Sequence, residues 1–103
     1  MTEFMRVASV KDISEGKMIG VKIDKKDIMI ANLGGRFYAI GNRCTHMGCL
    51  LSKGTLEGEK VTCPCHFAVF GVKTGKVIRP PALKPEPTYE VNVQEDDILI
   101  KSD

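Results

Sequence analysis

Four cysteines and two histidines lie close together in a chain of 103 residues. They form two groups, Cys44-Thr45-His46 followed by Cys49, and Cys63-Pro64-Cys65-His66. Sixteen residues separate His46 from Cys63. Thiolate and imidazole are the side chains that bind zinc and iron–sulfur clusters. A turning backbone can aim a thiol and a nearby imidazole the same way, so two facing loops would offer two sulfur and two nitrogen ligands to one site.

A ligand set of two sulfurs and two nitrogens leaves two metal centres open. A mononuclear zinc site takes this set tetrahedrally, although it usually pairs cysteine with cysteine and histidine with histidine along the chain. A [2Fe–2S] cluster takes two cysteines on one iron and two histidines on the other. The Cys63-Pro64-Cys65-His66 run is one residue too short for covalent haem attachment, and the chain has no Cys-x-x-Cys dithiol.

Short strands must position these loops, because apolar residues cluster or alternate with polar ones between turn signals. Gly34-Gly35 predicts a hairpin, and one helical turn is expected near 10–13. Two stretches, 41–65 and the proline-rich 80–87, resist a strand assignment, and such long loops are usually functional. The pattern predicts six to eight strands of an antiparallel sandwich or barrel, with candidates at 17–24, 27–32, 36–40, 68–72, 76–78, 89–93 and 98–100.

Size and charge bound the function classes. We expect residues 1–103 to form a single domain. The net charge of +2 is scattered, and its densest basic cluster is the pair Lys25-Lys26, so nucleic acid is excluded as a partner. The sequence shows no secretory signal and no apolar stretch near the roughly 18 residues of a membrane span. We therefore expect a soluble cytoplasmic protein, in which four cysteines favour metal or redox chemistry over a disulfide scaffold.

The motif and its flanks resemble the Rieske iron–sulfur family. Cys44-x-His46, then sixteen residues, then Cys63-x-x-His66 matches the family motif, and 34–46 is similar to the strand that enters its first cluster loop. Lys73-Thr74-Gly75-Lys76 resembles the turn after the second loop, and Pro80-Pro81-Ala82-Leu83 the proline loop that covers the cluster. The resemblance covers most of the chain. It implies an all-β fold of three stacked antiparallel sheets, with two cluster-binding loops and a proline loop.

The resemblance also implies a ligand set for one [2Fe–2S] cluster. Cys44 and Cys63 would bind the buried iron as thiolates, and His46 and His66 would bind the outer iron through a ring nitrogen. With these four residues committed, no imidazole remains for catalysis, so we expect an electron-transfer protein rather than an enzyme.

The remaining cysteines and the residues after the second motif point in different directions. Cys49 and Cys65 occupy positions where high-potential Rieske proteins have a disulfide, so the resemblance implies one here, although small Rieske ferredoxins usually lack it. High-potential members typically continue with Gly-Ser-x-Tyr, whose hydroxyls donate to cluster sulfur atoms. Here the residues are Phe67-Ala68-Val69-Phe70. We therefore predict a potential at the low end of the Rieske range of roughly −150 to +300 mV.

The resemblance implies a one-electron carrier between a reductase and an acceptor such as an oxygenase or a respiratory component. Both partners would dock transiently at the His46/His66 edge of a monomeric protein. Two alternatives stay open on the sequence: a small Rieske subunit of a multicomponent oxidoreductase, and a zinc-binding structural module.

Overall fold

The computed structural model describes residues 4–23, 25–44, 48–65, 67–80 and 84–101. Within these residues the chain forms ten strands and two 3₁₀ turns, Val10–Asp12 and Leu51–Lys53. The first of these is the helical turn predicted from the sequence, and that prediction is confirmed. The strands are β1 (Phe4–Ser9), β2 (Met18–Ile23), β3 (Lys26–Leu33), β4 (Arg36–Gly41), β5 (Thr55–Glu57), β6 (Lys60–Thr62), β7 (Val69–Gly71), β8 (Val77–Arg79), β9 (Thr88–Gln94) and β10 (Asp97–Lys101).

The strands form three antiparallel layers. The outer layer has the order β1-β10-β9, the middle layer β4-β3-β2, and the third layer β5-β6-β7-β8. Outer and middle layers join where Ala39 pairs with Tyr89 and Ile40 with Thr88, which makes one six-stranded sheet. The predicted architecture of stacked antiparallel sheets is confirmed.

Strand β3 explains why three layers stack. Successive residues of a strand point to opposite faces, and the run from Ile28 to Ala31 is fully buried on both. Ile28 and Ile30 pack into an outer core, together with Ala8, Ile13, Ile23, Ala39, Ile98 and Ile100. Met29 and Ala31 pack into an inner core, together with Ile40, Cys44, Leu51, Val61, Cys63, Ala68, Phe70 and Val72. A continuous apolar run is therefore what a middle layer requires.

The turn at Gly34-Gly35 forms the predicted hairpin. Leu33 pairs with Arg36, so two residues connect β3 and β4. Gly34 and Gly35 have φ of 64° and 89°, and a two-residue turn with both central φ values positive follows the right-handed twist of the strands.

Three strands lie outside the predicted set. Strand β1 carries a register shift between Arg6 and Ala8, and such a bulge interrupts the alternation by which a strand is recognised. Strands β5 and β6 have three residues each and lie inside the stretch 41–65, which the sequence marks as irregular. Three residues are too few to display a period of two.

The third layer is inserted between two strands that pair with each other, and this places the loops. The first cysteine loop follows β4, the second joins β6 to β7, and the proline-rich segment, residues 80–87, returns from β8 to β9. The N–H of Gly41 donates to the carbonyl of Pro87 at 2.9 Å, which closes the insertion at its base. In the described part of the chain no helix is long and apolar enough to cross a membrane.

Candidate metal centre

The first cysteine loop, residues 44–49, is closed by two backbone hydrogen bonds. The N–H of Cys44 donates to the carbonyl of Cys49 at 2.7 Å, and the N–H of Gly48 donates to the carbonyl of Cys44 at 2.7 Å. Gly48 has φ of 76°, in the left-handed region that glycine enters without steric cost. The loop therefore turns sharply at its fifth residue.

The second cysteine loop, residues 63–68, repeats this pattern. The N–H of Cys63 donates to the carbonyl of Ala68 at 2.8 Å, and the N–H of Phe67 donates to the carbonyl of Cys63 at 3.1 Å. Phe67 is the fifth residue of its loop and has φ of 62°, so it takes the left-handed conformation that Gly48 has in the first loop. Two loops with the same backbone connectivity thus each begin with a cysteine.

These two leading cysteines are buried thiols. Cys44 is 2 % exposed and Cys63 is 1 % exposed; both belong to the inner core and neither takes part in a disulfide. Paired buried thiols at the starts of matching loops suit a cluster whose inner iron takes two thiolates. The donor set therefore fits a [2Fe–2S] cluster. The predicted ligands His46 and His66 lie outside the described residues, as does 81–83 of the proline loop.

The other two cysteines join the loops. Cys49 and Cys65 form a disulfide, with their Cα atoms 6.4 Å apart. The Sγ atom of Cys63 lies within 4.8 Å of both disulfide sulfurs. Because two of these three sulfurs are bonded to each other, the trio offers no three-thiolate metal site while the disulfide stands. The bridge instead lies directly beside one buried thiol.

A side-chain network anchors the start of the first loop. Asn42 is buried, and its Oδ1 accepts from the N–H of Ser52 at 2.7 Å while its Nδ2 donates to Ser52 Oγ at 3.0 Å. Its backbone N–H donates to the carbonyl of Asp27, and its carbonyl accepts from Leu51. Asn42 therefore ties the residues before the loop to the residues after it.

Arg43 provides a second clamp on the first loop. Its Nε donates to Oδ2 of Asp27 at 2.7 Å, and its Nη1 donates to the carbonyl of Gly48 at 3.1 Å. One guanidinium thereby links strand β3 to the turning residue of the loop.

The second loop is positioned by a close backbone approach. A Cβ atom at Gly54, the end of the second 3₁₀ turn, would overlap the carbonyl oxygen of Thr62 and would lie 3.1 Å from Cδ of Pro64. Only glycine lets the chain pass this close to the strand that leads into Cys63.

The proline-rich segment is held by a backbone hydrogen bond on its return to β9. The N–H of Glu86 donates to the carbonyl of Gly75 at 2.8 Å.

Comparison with known proteins identifies the family. Residues 3–93 match the family model described as the Rieske [2Fe-2S] domain. The chain belongs to this family. A curated relative, the 3-phenylpropionate/cinnamic acid dioxygenase ferredoxin subunit of Escherichia coli strain K12, is 43 % identical over 93 residues, which are 88 % of this chain and 86 % of the relative. The ferredoxin component of the naphthalene 1,2-dioxygenase/salicylate 5-hydroxylase systems of Ralstonia sp. is 38 % identical over 94 residues, 91 % and 90 % of the two chains.

Solved structures of Rieske ferredoxins share the fold. The ferredoxin of carbazole 1,9a-dioxygenase from Nocardioides aromaticivorans IC177 superposes with a TM-score of 0.90 at 30 % identity, covering 94 % of this chain and 95 % of that one. The Sphingomonas yanoikuyae B1 ferredoxin gives 0.92 at 25 % identity, covering 98 % and 100 %. The Rieske resemblance is confirmed: this chain carries a single Rieske [2Fe–2S] cluster and is a one-electron carrier.

Several positioning residues of this Rieske site carry no clear sequence signal. Asn42 and Arg43 directly precede Cys44, and two polar residues after a buried strand could have drawn attention. Ser52, which bonds to Asn42, and Gly54 are distant in the sequence from the residues that they contact, so spacing does not identify them.

Two residues near the Rieske loops bear on the potential. Ala68 and Phe70 are fully buried in the inner core, on the segment that leads away from the second loop. Neither side chain carries a hydroxyl to donate to a sulfur atom. The low potential expected from the sequence stays a prediction.

Proposed function

We propose that this Rieske protein passes single electrons from a reductase to the terminal oxygenase of a multicomponent oxygenase. The observation that carries the proposal is the pair of matching loops, each of which buries one thiol and contains one histidine. The named relatives, all ferredoxin parts of dioxygenase systems, support the choice of an oxygenase as acceptor. In this proposal residues 1–103 are one domain, a monomeric cytoplasmic carrier that catalyses no reaction of its own.

In the proposal Cys44 and Cys63 hold the inner iron through Sγ, while His46 and His66 hold the outer iron through a ring nitrogen. When bound, the cluster supplies a centre that takes up and releases one electron. The burial of the two thiols keeps water away from the sulfur ligands, where a low dielectric strengthens their electrostatic effect on the centre. The Cys49–Cys65 disulfide holds the two loops at a fixed separation.

The same arrangement supports a docking position. The Cys49–Cys65 disulfide joins the first loop to the second at the end of the third layer where β6 ends and β7 begins. A partner that approaches this end meets the loops that contain His46 and His66 before it meets the cores. We therefore assign reductase and oxygenase to the same end, which they would occupy in turn.

The cluster is tested on the purified protein. Iron and acid-labile sulfide should each be present at about two per chain, and the dithionite-reduced protein should give the electron paramagnetic resonance signal of a reduced Rieske centre. A redox titration should place the potential at the low end of the family range. A colourless protein that contains one zinc would contradict the assignment and favour the zinc module.

The role is tested by reconstitution. Terminal oxygenases encoded in the same organism are purified and mixed with reductase, NADH and this protein, and product formation is measured with and without it. Turnover that depends on this protein supports the proposal. If the reduced protein passes electrons to a respiratory component and to none of the oxygenases, the acceptor is wrongly assigned.

A further inference from the structure

Phe67 lies at the fifth residue of the second cysteine loop, and its side chain faces solvent. Among the large apolar side chains of the described residues it is the most exposed, at 63 %; Ile78 follows at 49 %. An exposed aromatic ring is a common anchor of a protein interface.

The backbone of Phe67 makes this exposure informative. A non-glycine residue in the left-handed region brings its Cβ too close to the neighbouring carbonyl oxygen, and the matching position of the first loop is Gly48. The ring gains little packing in return, since most of its surface lies in solvent. The packing of the ring therefore does not offset the strain. The loop hydrogen bond that Phe67 donates to Cys63 holds the backbone in place, and the exposed ring remains available for a contact with another protein.

Two exposed cationic side chains adjoin the loops, Lys53 and Arg79, and we call them the cap rim. The described residues that begin, form and end the loops, 42–44, 48–54, 62–65, 67–69 and 79–80, contain three cationic residues and no acidic residue. The third cation, Arg43, forms an ion pair with Asp27 at 2.7 Å, so its charge is largely compensated.

Sequence and strand pairing place both members of the cap rim near the second loop. Lys53 directly precedes Gly54, whose close approach to Thr62 and Pro64 positions that loop. Arg79 pairs across the sheet with Val69, two residues beyond Phe67. The ring and the two cations therefore lie at the same end of the third layer.

We propose that Phe67 inserts into an apolar hollow on the terminal oxygenase, and that carboxylates around this hollow face the cap rim. A buried aromatic anchor lowers the dissociation rate, while complementary charges at the rim raise the association rate and fix the orientation. The oxygenase is chosen as the occupant because the relatives are ferredoxin parts of dioxygenase systems and a solved complex joins a ferredoxin to its oxygenase. The positive rim then predicts that the oxygenase surface around the hollow is acidic. This inference rests on the proposed function, since it names the surface through which the carrier meets its acceptor.

The test measures the second-order rate constant with which the reduced holoprotein reduces the oxygenase found in the reconstitution. Phe67→Gly and Phe67→Asn both suit the left-handed backbone and remove the ring, so they should fold and keep the cluster. Each should lower the rate constant about tenfold at unchanged potential, which is the effect of losing one modest interface anchor. Met5→Ser, an exposed apolar residue on β1, is the matched control and should leave the rate unchanged.

Charge is tested separately. Lys53→Glu and Arg79→Glu should lower the rate constant several-fold at low ionic strength and flatten its dependence on salt. Lys11→Glu changes an exposed lysine beside the β9–β10 turn of the outer layer, far from the loops, by the same charge and should have a much smaller effect.

A second electron acceptor separates docking from damage to the cluster. Ferricyanide is too small to need an apolar hollow, so Phe67→Gly should reduce it at the wild-type rate. If Phe67→Gly reduces the oxygenase as fast as wild type does, this inference fails while the proposed function stands. If the ring is needed only for reduction by the reductase, the occupant is wrong. A wild-type protein that reduces no oxygenase overturns both proposals.

Discussion

The two cysteine loops share a backbone and differ in what holds them. The first has glycine at its left-handed residue and is anchored by the side chains of Asn42 and Arg43. The second has Phe67 at that residue and is positioned by the backbone approach at Gly54. The first loop is thus relaxed and clamped, and the second carries strain together with an exposed ring. The same loop backbone is therefore held in two ways, by side chains in the first loop and by a close backbone approach in the second.

The largest expected effect is loss of the cluster, which tests whether each loop supplies one cysteine ligand. Cys44→Ser and Cys63→Ser should each abolish the native cluster, because in the proposed ligand set each removes one of the two thiolates of the inner iron. Iron and sulfide content, with the visible spectrum, measures the loss. A native cluster in either variant would break the equivalence and would return the ligand assignment of that loop to question.

The disulfide joins the loops without serving as a ligand. Cys49→Ser and Cys65→Ser should each keep a cluster and lower the free energy of unfolding by about 3 kcal/mol, the loop-entropy value for a closed loop of this length. Denaturant unfolding followed by circular dichroism measures the change. The double variant is the control and should match the single variants, whereas loss of the cluster in Cys65→Ser alone would assign that sulfur to the centre.

Gly54→Ala disturbs the close backbone approach that positions the second loop. The new methyl group overlaps the carbonyl of Thr62, so the backbone must move, and we expect a loss of about 2 kcal/mol in unfolding free energy, as in an overpacked core. The cluster should also be lost faster on exposure to a chelator, since Cys63 follows this strand. Stability equal to wild type would show that the 3₁₀ turn shifts freely and does not position the loop.

The smallest expected effect is the cost of placing a side chain on the left-handed residue of the first loop. Gly48→Ala places a methyl group where no atom of the described residues lies within 4 Å, so we expect the loss of about 1 kcal/mol to come from the backbone. Gly16→Ala is the matched control, since Gly16 has φ of 79° and equally open surroundings. If Gly48→Ala is neutral while Gly16→Ala is costly, the left-handed residue of these loops carries no strain, and Phe67 is then not strained either.

Local signals explain which parts of the fold could be predicted. The Gly34-Gly35 turn and the apolar run at 28–31 lie within a few residues of what they determine, so the hairpin and the middle strand were predictable. The ten-strand count was not, because β1 is interrupted by a bulge and β5 and β6 are very short.

The residues of the site were also predictable only where the signal is local in the sequence. Cys44 and Cys63 were identified by a motif of fixed spacing, and their burial agrees with a role as inner ligands; the ligand set itself stays a prediction. The bond between Asn42 and Ser52 spans ten residues of irregular chain and has no periodic signature. The left-handed conformation of Phe67 was unpredictable from residue type, since an aromatic residue rarely adopts it.

The hydrogen bond between Gly41 and Pro87 brings together the two ends of the inserted segment. Everything between these residues, including both cysteine loops, leaves the six-stranded sheet and returns to it at adjacent points, where Ile40 pairs with Thr88. A segment whose ends lie together can be exchanged without stretching its host, as in tolerated domain insertions. Residues 42–87 can therefore be exchanged as one unit. Chimaeras that exchange this unit between relatives should keep the outer layer of the host and have the reduction potential of the donor.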